Sequence, residues 1–84
     1  MKVRVFLYGP MRKYGARVEC DLAEGSTISG LRAALRDTLA VERQFVDEAL
    51  LVRSVFATSD EVVGDDTLVR AVTDYSVLPP VCGG

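Results

Sequence analysis

Arg17-Val18-Glu19-Cys20-Asp21-Leu22 leads through Ala23-Glu24-Gly25-Ser26-Thr27 into Ile28-Ser29-Gly30-Leu31-Arg32-Ala33-Ala34-Leu35-Arg36-Asp37-Thr38-Leu39. Within that stretch the apolar residues stop recurring at every second position and begin to recur at every third or fourth. Val18, Cys20 and Leu22 alternate with Arg17, Glu19 and Asp21, the pattern of a strand with one buried face. Ile28, Leu31, Leu35 and Leu39, helped by Ala34 and Thr38, line one side of a helix, with Arg32, Arg36 and Asp37 towards the other. This spacing predicts an amphipathic helix of about three turns. Glu24-Gly25-Ser26-Thr27 breaks the strand, and Ser26 or Thr27 is placed to accept hydrogen bonds from the first helical N–H groups. Cys20, on the inward face, reads as a small buried hydrophobe.

The flanking segments complete the architecture. Val3, Val5 and Leu7 alternate with Arg4, Phe6 and Tyr8, which predicts a first strand, antiparallel to the second, whose other face is unusually apolar at Phe6 and Tyr8. Gly9-Pro10 ends it, and Met11-Arg12-Lys13-Tyr14-Gly15 reads as a turn or short helix. Beyond the helix, Ala40 to Glu48 is polar and suggests a loop with a short helical turn. Leu50 to Ala57 reads as a third strand, apolar enough to be central. Thr58-Ser59-Asp60-Glu61 makes a turn, Val62-Val63 a short edge strand, Gly64-Asp65-Asp66-Thr67 another turn, and Tyr75-Ser76-Val77-Leu78 the last strand. One helix on one face of a mixed sheet, in the order β-β-α-β-β-β, is an α+β roll of the ubiquitin type. The expected division is a β-grasp domain over residues 1–78 and a protruding tail over 79–84. No internal repeat, linker or low-complexity segment interrupts it.

Composition narrows the function classes. A chain of 84 residues makes one domain with a small core, and its 49% hydrophobic content is enough to form one. The net charge is −2 and the isoelectric point about 5.0, unlike the basic footprint of a nucleic-acid binder. Lys and Arg are scattered along the sequence, with no run that reads as a membrane or phosphate patch. Two cysteines and no histidine disfavour a disulfide framework, a metal site or a histidine-based triad. The N-terminus lacks a signal peptide's apolar run, and no stretch reaches membrane-spanning length. The expectation is a soluble protein of a reducing compartment, in the cytoplasm.

The most specific motif is the last one, Leu78-Pro79-Pro80-Val81-Cys82-Gly83-Gly84. Each proline fixes φ and removes an N–H, so the sheet ladder is expected to stop there. Two glycines, lacking Cβ, can enter a slot too narrow for other residues. The expectation is a stiff stalk with a slim tip that offers the Gly84 α-carboxylate as a substrate.

These residues resemble the ubiquitin-like sulfur-carrier proteins of the MoaD/ThiS superfamily, most closely the small subunit of molybdopterin synthase. The resemblance is carried by Val3 to Gly15 with its Met11-Arg12 pair, by Glu24-Gly25-Ser26-Thr27 opening the helix, and by the Pro-Pro-x-x-Gly-Gly ending. It spans nearly the whole chain and is weakest between Ala40 and Glu48. The sequence departs from the family's usual pattern at Thr73-Asp74, at Thr58-Ser59 and at Cys82, where Gly-Asp, Val-Asn and a small Ser or Ala are common. Those departures bear on the receiving pathway, whether molybdenum cofactor, thiamine, cysteine or a secondary metabolite.

The resemblance implies a non-enzymatic co-substrate that binds no cofactor. An E1-like adenylyltransferase/sulfurtransferase partner uses ATP and Mg to convert Gly84 into an acyl-adenylate, and sulfur then replaces AMP to leave a thiocarboxylate. A larger catalytic subunit or other sulfur-accepting enzyme is the further partner. Gly84 bears the reacting carbon, Gly83 permits close approach, and Pro79, Pro80, Val81 and Cys82 complete the recognised tail. Cys82 either fills a small-residue slot or captures the activated carbonyl or a partner thiol. Phe6, Tyr8 and Phe56 are candidates for an apolar docking face on the open side of the sheet, and equally for core positions. The competing functions are a ubiquitin-like modifier joined through Gly84 to target lysines, and a binding module whose tail is incidental.

Overall fold

A computed structural model describes residues 1–43, 48–71 and 73–78. Its five strands, β1 (Lys2–Leu7), β2 (Arg17–Asp21), β3 (Val55–Ala57), β4 (Val62–Val63) and β5 (Tyr75–Leu78), form one sheet in the order β2-β1-β5-β3-β4. β1 (Lys2–Leu7) and β2 (Arg17–Asp21) form an antiparallel pair in which Val5 faces Val18 and Phe6 faces Arg17. Gly9, at φ +59°, turns the chain out of β1 into a 3₁₀ helix over Gly9–Tyr14 that buries Met11 and Tyr14. At the other end of the hairpin the Met1 ammonium donates to the Leu22 carbonyl at 2.6 Å, and the Leu22 N–H donates back to Met1 at 2.8 Å.

Helix α1 spans Ile28–Arg43, longer than the three turns expected. Ala40 and the residues after it contain no breaker and favour helix, so the helix continues into the stretch read as a loop. Ile28, Leu31, Leu35 and Leu39 are fully buried, as their spacing predicts. The N-terminus is satisfied differently from expectation. Ile28 and Ser29 donate their N–H groups to the backbone carbonyls of Thr67 and Asp65, whereas the Ser26 hydroxyl donates back to Ala23. The loop after β4 therefore takes the capping role assigned to Ser26 or Thr27.

The third strand is corrected most. Glu48–Arg53 forms a short helix, α2, and β3 occupies only Val55–Ala57. A short apolar run such as Leu50-Leu51-Val52 does not by itself distinguish helix from buried strand. Here Glu48 in the first turn and Arg53 in the last complement the helix dipole. The Ser54 hydroxyl donates to the Leu50 carbonyl at 2.7 Å, and the Arg32 guanidinium takes the last carbonyls.

β4 (Val62–Val63) is the short edge strand expected, and β5 (Tyr75–Leu78) is the last. β5 lies between β1, to which it is parallel with Leu7 facing Val77, and β3, to which it is antiparallel with Phe56 facing Val77. Val3, Val5, Leu7, Val18, Cys20, Phe56, Val63, Tyr75 and Val77 make the sheet's contribution to the core. The helices cover that face alone, giving the ubiquitin-like β-grasp roll. No described helix is long and apolar enough to cross a membrane.

Candidate functional site

Pro79, Pro80, Val81, Cys82, Gly83 and Gly84 lie outside the described residues, so the site is defined by the platform from which they continue. β5 is the central strand, bonded on both sides, and its final residue Leu78 faces Val55 at the start of β3. Because β1 and β5 are parallel, Leu78 lies at the end of the sheet where β1 gives way to Tyr8, Gly9 and the 3₁₀ helix. The segment that continues from here therefore follows a strand paired on both sides.

The open face of the sheet is set by register. Phe6, Ser76 and Ala57 form one row across the three central strands, and Leu78 and Val55 the next. Val62 pairs with Ala57 on the edge strand and is exposed. Phe6, Val55 and Leu78 are half-buried, and Tyr8 is 44% exposed beyond the end of β1. This face is an apolar strip leading to the point where residue 79 continues the chain.

Phe56 does not belong to that strip. It faces Val77, which faces Leu7, so it points to the helix-covered side and is fully buried. Phe6 is on the opposite side of the same sheet, and a docking face comprising Phe6, Tyr8 and Phe56 together is excluded by the pleat. Val55, Ala57, Val62 and Leu78 take the place given to Phe56. Alternation around Phe56 would have named Val55 and Ala57 once β3 was known to start at residue 55.

Arg32 was expected on the solvent side of α1, and instead it joins three elements. Its Nη1 donates to the carbonyls of Leu51 and Ser54, each at 2.7 Å, and to that of Val52 at 3.3 Å. Its Nη2 donates to Asp65 at 2.8 Å. The guanidinium lies 5.0 Å from the centre of the Phe56 ring, and the side chain is only 17% exposed. It closes the C-terminus of α2 and so sets where β3 begins. Arg36 makes a second, exposed link, bonded to Glu48 and to Asp37. The Glu48 hydrogen bond, followed by that of Asp37, raises the Arg36 pKa above the ordinary arginine value.

A well-formed concavity of about 560 Å³ is bordered by Thr58, Glu61, Arg70 and Asp74, at the other end of the sheet from Leu78. Among the described residues no group of three His, Cys, Asp or Glu is placed to hold a metal. Cys20 is buried at 1% exposure. The platform is suited to presenting a segment rather than enclosing a ligand.

No family model matches the sequence, and no curated protein matches it. Solved structures do. Small archaeal modifier protein 1 of Haloferax volcanii superposes with a TM-score of 0.71 at 19% identity, over 95% of this chain and 98% of that one. Subunit 1 and subunit 2 of a molybdopterin-converting factor from Helicobacter pylori have been solved as a complex. A chain of that structure gives a match with a TM-score of 0.62 at 26% identity, over 100% of this chain and 100% of that one. The β-grasp fold is thus shared with a protein modifier and with a component of a two-subunit factor.

Proposed function

We propose that this chain is a sulfur carrier whose Gly84 carboxylate is adenylated by an E1-like activating enzyme and converted to a thiocarboxylate. The observation that supports this most directly is that the Pro-Pro-x-x-Gly-Gly segment comes immediately after the central strand of a β-grasp sheet. A carboxylate is a poor acyl donor because its leaving group is oxide. Attack of the Gly84 carboxylate oxygen on the α-phosphate of Mg-ATP expels pyrophosphate and gives a mixed anhydride. Sulfide then attacks the carbonyl carbon and AMP departs, leaving –COS⁻. If a persulfide attacks instead, a thiol must afterwards cleave the resulting S–S bond. The ATP chemistry belongs to the partner, and a sulfur-accepting enzyme of the molybdopterin-synthase kind consumes the product.

The second reading, a modifier joined through Gly84 to lysine amines, shares the adenylation step and is favoured by the likeness to the archaeal modifier. Intact mass after co-production with the activating enzyme separates the two. The carrier gains the mass of one sulfur in exchange for one oxygen, whereas the modifier appears in high-mass conjugates. An unchanged mass with no conjugates rejects both.

Two variants refine the roles within the tail. Gly83→Ala is expected to melt with the wild type yet support at least tenfold slower ATP–pyrophosphate exchange, because a methyl group restricts the backbone and widens the tip. Full exchange would reduce Gly83 to a spacer. Cys82→Ser is expected to keep thiocarboxylate formation, since the hydroxyl is close in size to the thiol. Iodoacetamide should modify Cys82 in the native wild type and spare buried Cys20. A Cys82→Ser protein that never gains sulfur beside a wild type that does would make Cys82 a participant in the transfer.

A further inference from the structure

The cations that look scattered in the sequence are gathered by the fold. Arg12 and Lys13 are in the 3₁₀ helix after β1, and Arg17 opens β2 opposite Phe6, at the same end of the hairpin. Arg53 ends α2, two residues before Val55, which faces Leu78. All four side chains are exposed, and none forms an ion pair among the described residues, in contrast to Arg4, Arg32 and Arg36. Parallel pairing of β1 with β5 places this end around Leu78.

The segregation is sharper when carboxylates are considered. Residues 8–17 and 49–55, which flank β5 at this end, contain no Asp or Glu, and neither does the sequence after Asp74. Asp21, Glu24, Asp60, Glu61 and Asp74 fall at the far end of the strands or in the turns beyond it, where Arg4 is already engaged by Asp74 at 3.0 Å. Asp65 and Asp66 follow β4 on the side of Val55, where Asp65 is already held by Arg32 at 2.8 Å. A molecule with a net charge of −2 therefore carries, around Leu78, a ring of cations that have no ion-pair partner among the described residues. Like charges held together without such partners cost stability, in contrast to the paired Arg4, Arg32 and Arg36.

We infer that this ring docks the rim of a partner protein's tail-binding channel, and that the rim is acidic. The inference rests on the proposed activation of the Gly84 tail and adds to it the chemistry of the surface that recognises the globule. Six residues after Leu78 span at most about 20 Å when extended, so a partner that holds Gly84 has its channel mouth against this end of the domain. Arg12, Lys13 and Arg17 then meet that mouth from the β1–β2 side and Arg53 from the β3 side. Opposite charge there orients the approach, with the tail leading and the acidic end trailing. Such steering acts mainly on the association rate and is screened by salt.

The test is stopped-flow association of the full chain with the purified E1-like adenylating enzyme of the same organism, across a series of salt concentrations. For wild type the rate is expected to fall steeply as salt rises. The triple variant Arg12→Glu, Arg17→Glu, Arg53→Glu is expected to associate at least about tenfold more slowly at low salt, with little salt dependence, and to melt as wild type does. A chain lacking Gly84 should lose pyrophosphate exchange and keep the wild-type salt dependence. Equal rates and salt dependence for wild type and triple variant overturn the acidic rim while leaving the tail chemistry intact. Failure of wild type to associate with the enzyme at all overturns both. Tighter wild-type binding to a short DNA duplex or to phosphatidylserine vesicles than to the enzyme assigns the ring to a polyanion and overturns the proposal.

Discussion

One residue added after Gly84, or Gly84 deleted, is expected to lower ATP–pyrophosphate exchange by at least about a hundredfold. The melting curve should not move. The reason is geometric. An extra residue displaces the terminal carboxylate by about 3.5 Å, and misplacement of a reacting group by as little as about 1 Å can cost two orders of magnitude. Gly84 is six residues beyond Leu78, the last described residue of β5, so both changes are made away from the described sheet. Exchange by the extended protein at near wild-type rate would remove the terminal carboxylate from the mechanism and with it both the carrier and the modifier.

The largest expected effect on stability is at Arg32. Arg32→Ala removes a donor to three backbone carbonyls and to Asp65, and deprives the part-buried Ser54 carbonyl of that donor while Leu51 still accepts from the Ser54 N–H. Hydrogen bonds to charged groups contribute about 1.5–3 kcal/mol each, and they are not additive here because one guanidinium makes them all. A loss of about 3 kcal/mol is the expected outcome, which for a domain of this size lowers Tm by roughly 15 °C. Arg32→Lys should recover only part of it, because an ammonium lacks the planar fork that reaches several acceptors at once. The exposed Asp65 contributes little by itself, so Asp65→Asn should lie close to wild type. A melting curve for Arg32→Ala within about 1 °C of wild type would show that water replaces the guanidinium without penalty, against the cost expected for unpaired buried acceptors.

The strands that alternate and the helix that repeats on one face were legible because their signals are local. Val3, Val5, Leu7, Val18 and Cys20 are all buried where alternation places them, and so are Ile28, Leu31, Leu35 and Leu39. Leu50 to Ala57 was misread because an unbroken apolar run carries no period. The deciding interaction, Arg32 with the end of α2, spans about twenty residues of sequence and two helices. Moving the start of the strand to Val55 also assigned Phe56 to the core and Val55 and Ala57 to the open face. The same reason hides the cationic ring, since Arg12, Arg17 and Arg53 become neighbours only through the β1–β5 pairing. The tail shows the converse: its composition is distinctive in the sequence, while the described fold supplies only its anchorage.

That anchorage also orders events during synthesis. β5 is the final strand of the fold, yet it holds the middle of the sheet, joining the β1–β2 hairpin to the β3–β4 hairpin. A nascent chain that has not reached Tyr75 has two hairpins with no strand between them, linked only through the helix and the loop after β4. A two-stranded hairpin is marginal in water by itself, and long-range parallel pairing such as β1 with β5 forms late. Folding must therefore wait for the residues that directly precede the tail. A ribosome that aborts before Tyr75 releases a fragment that cannot close its core, an easy target for proteolysis. The topology thus acts as a check on translation, because folding selects chains in which synthesis has already come within a few residues of the tail.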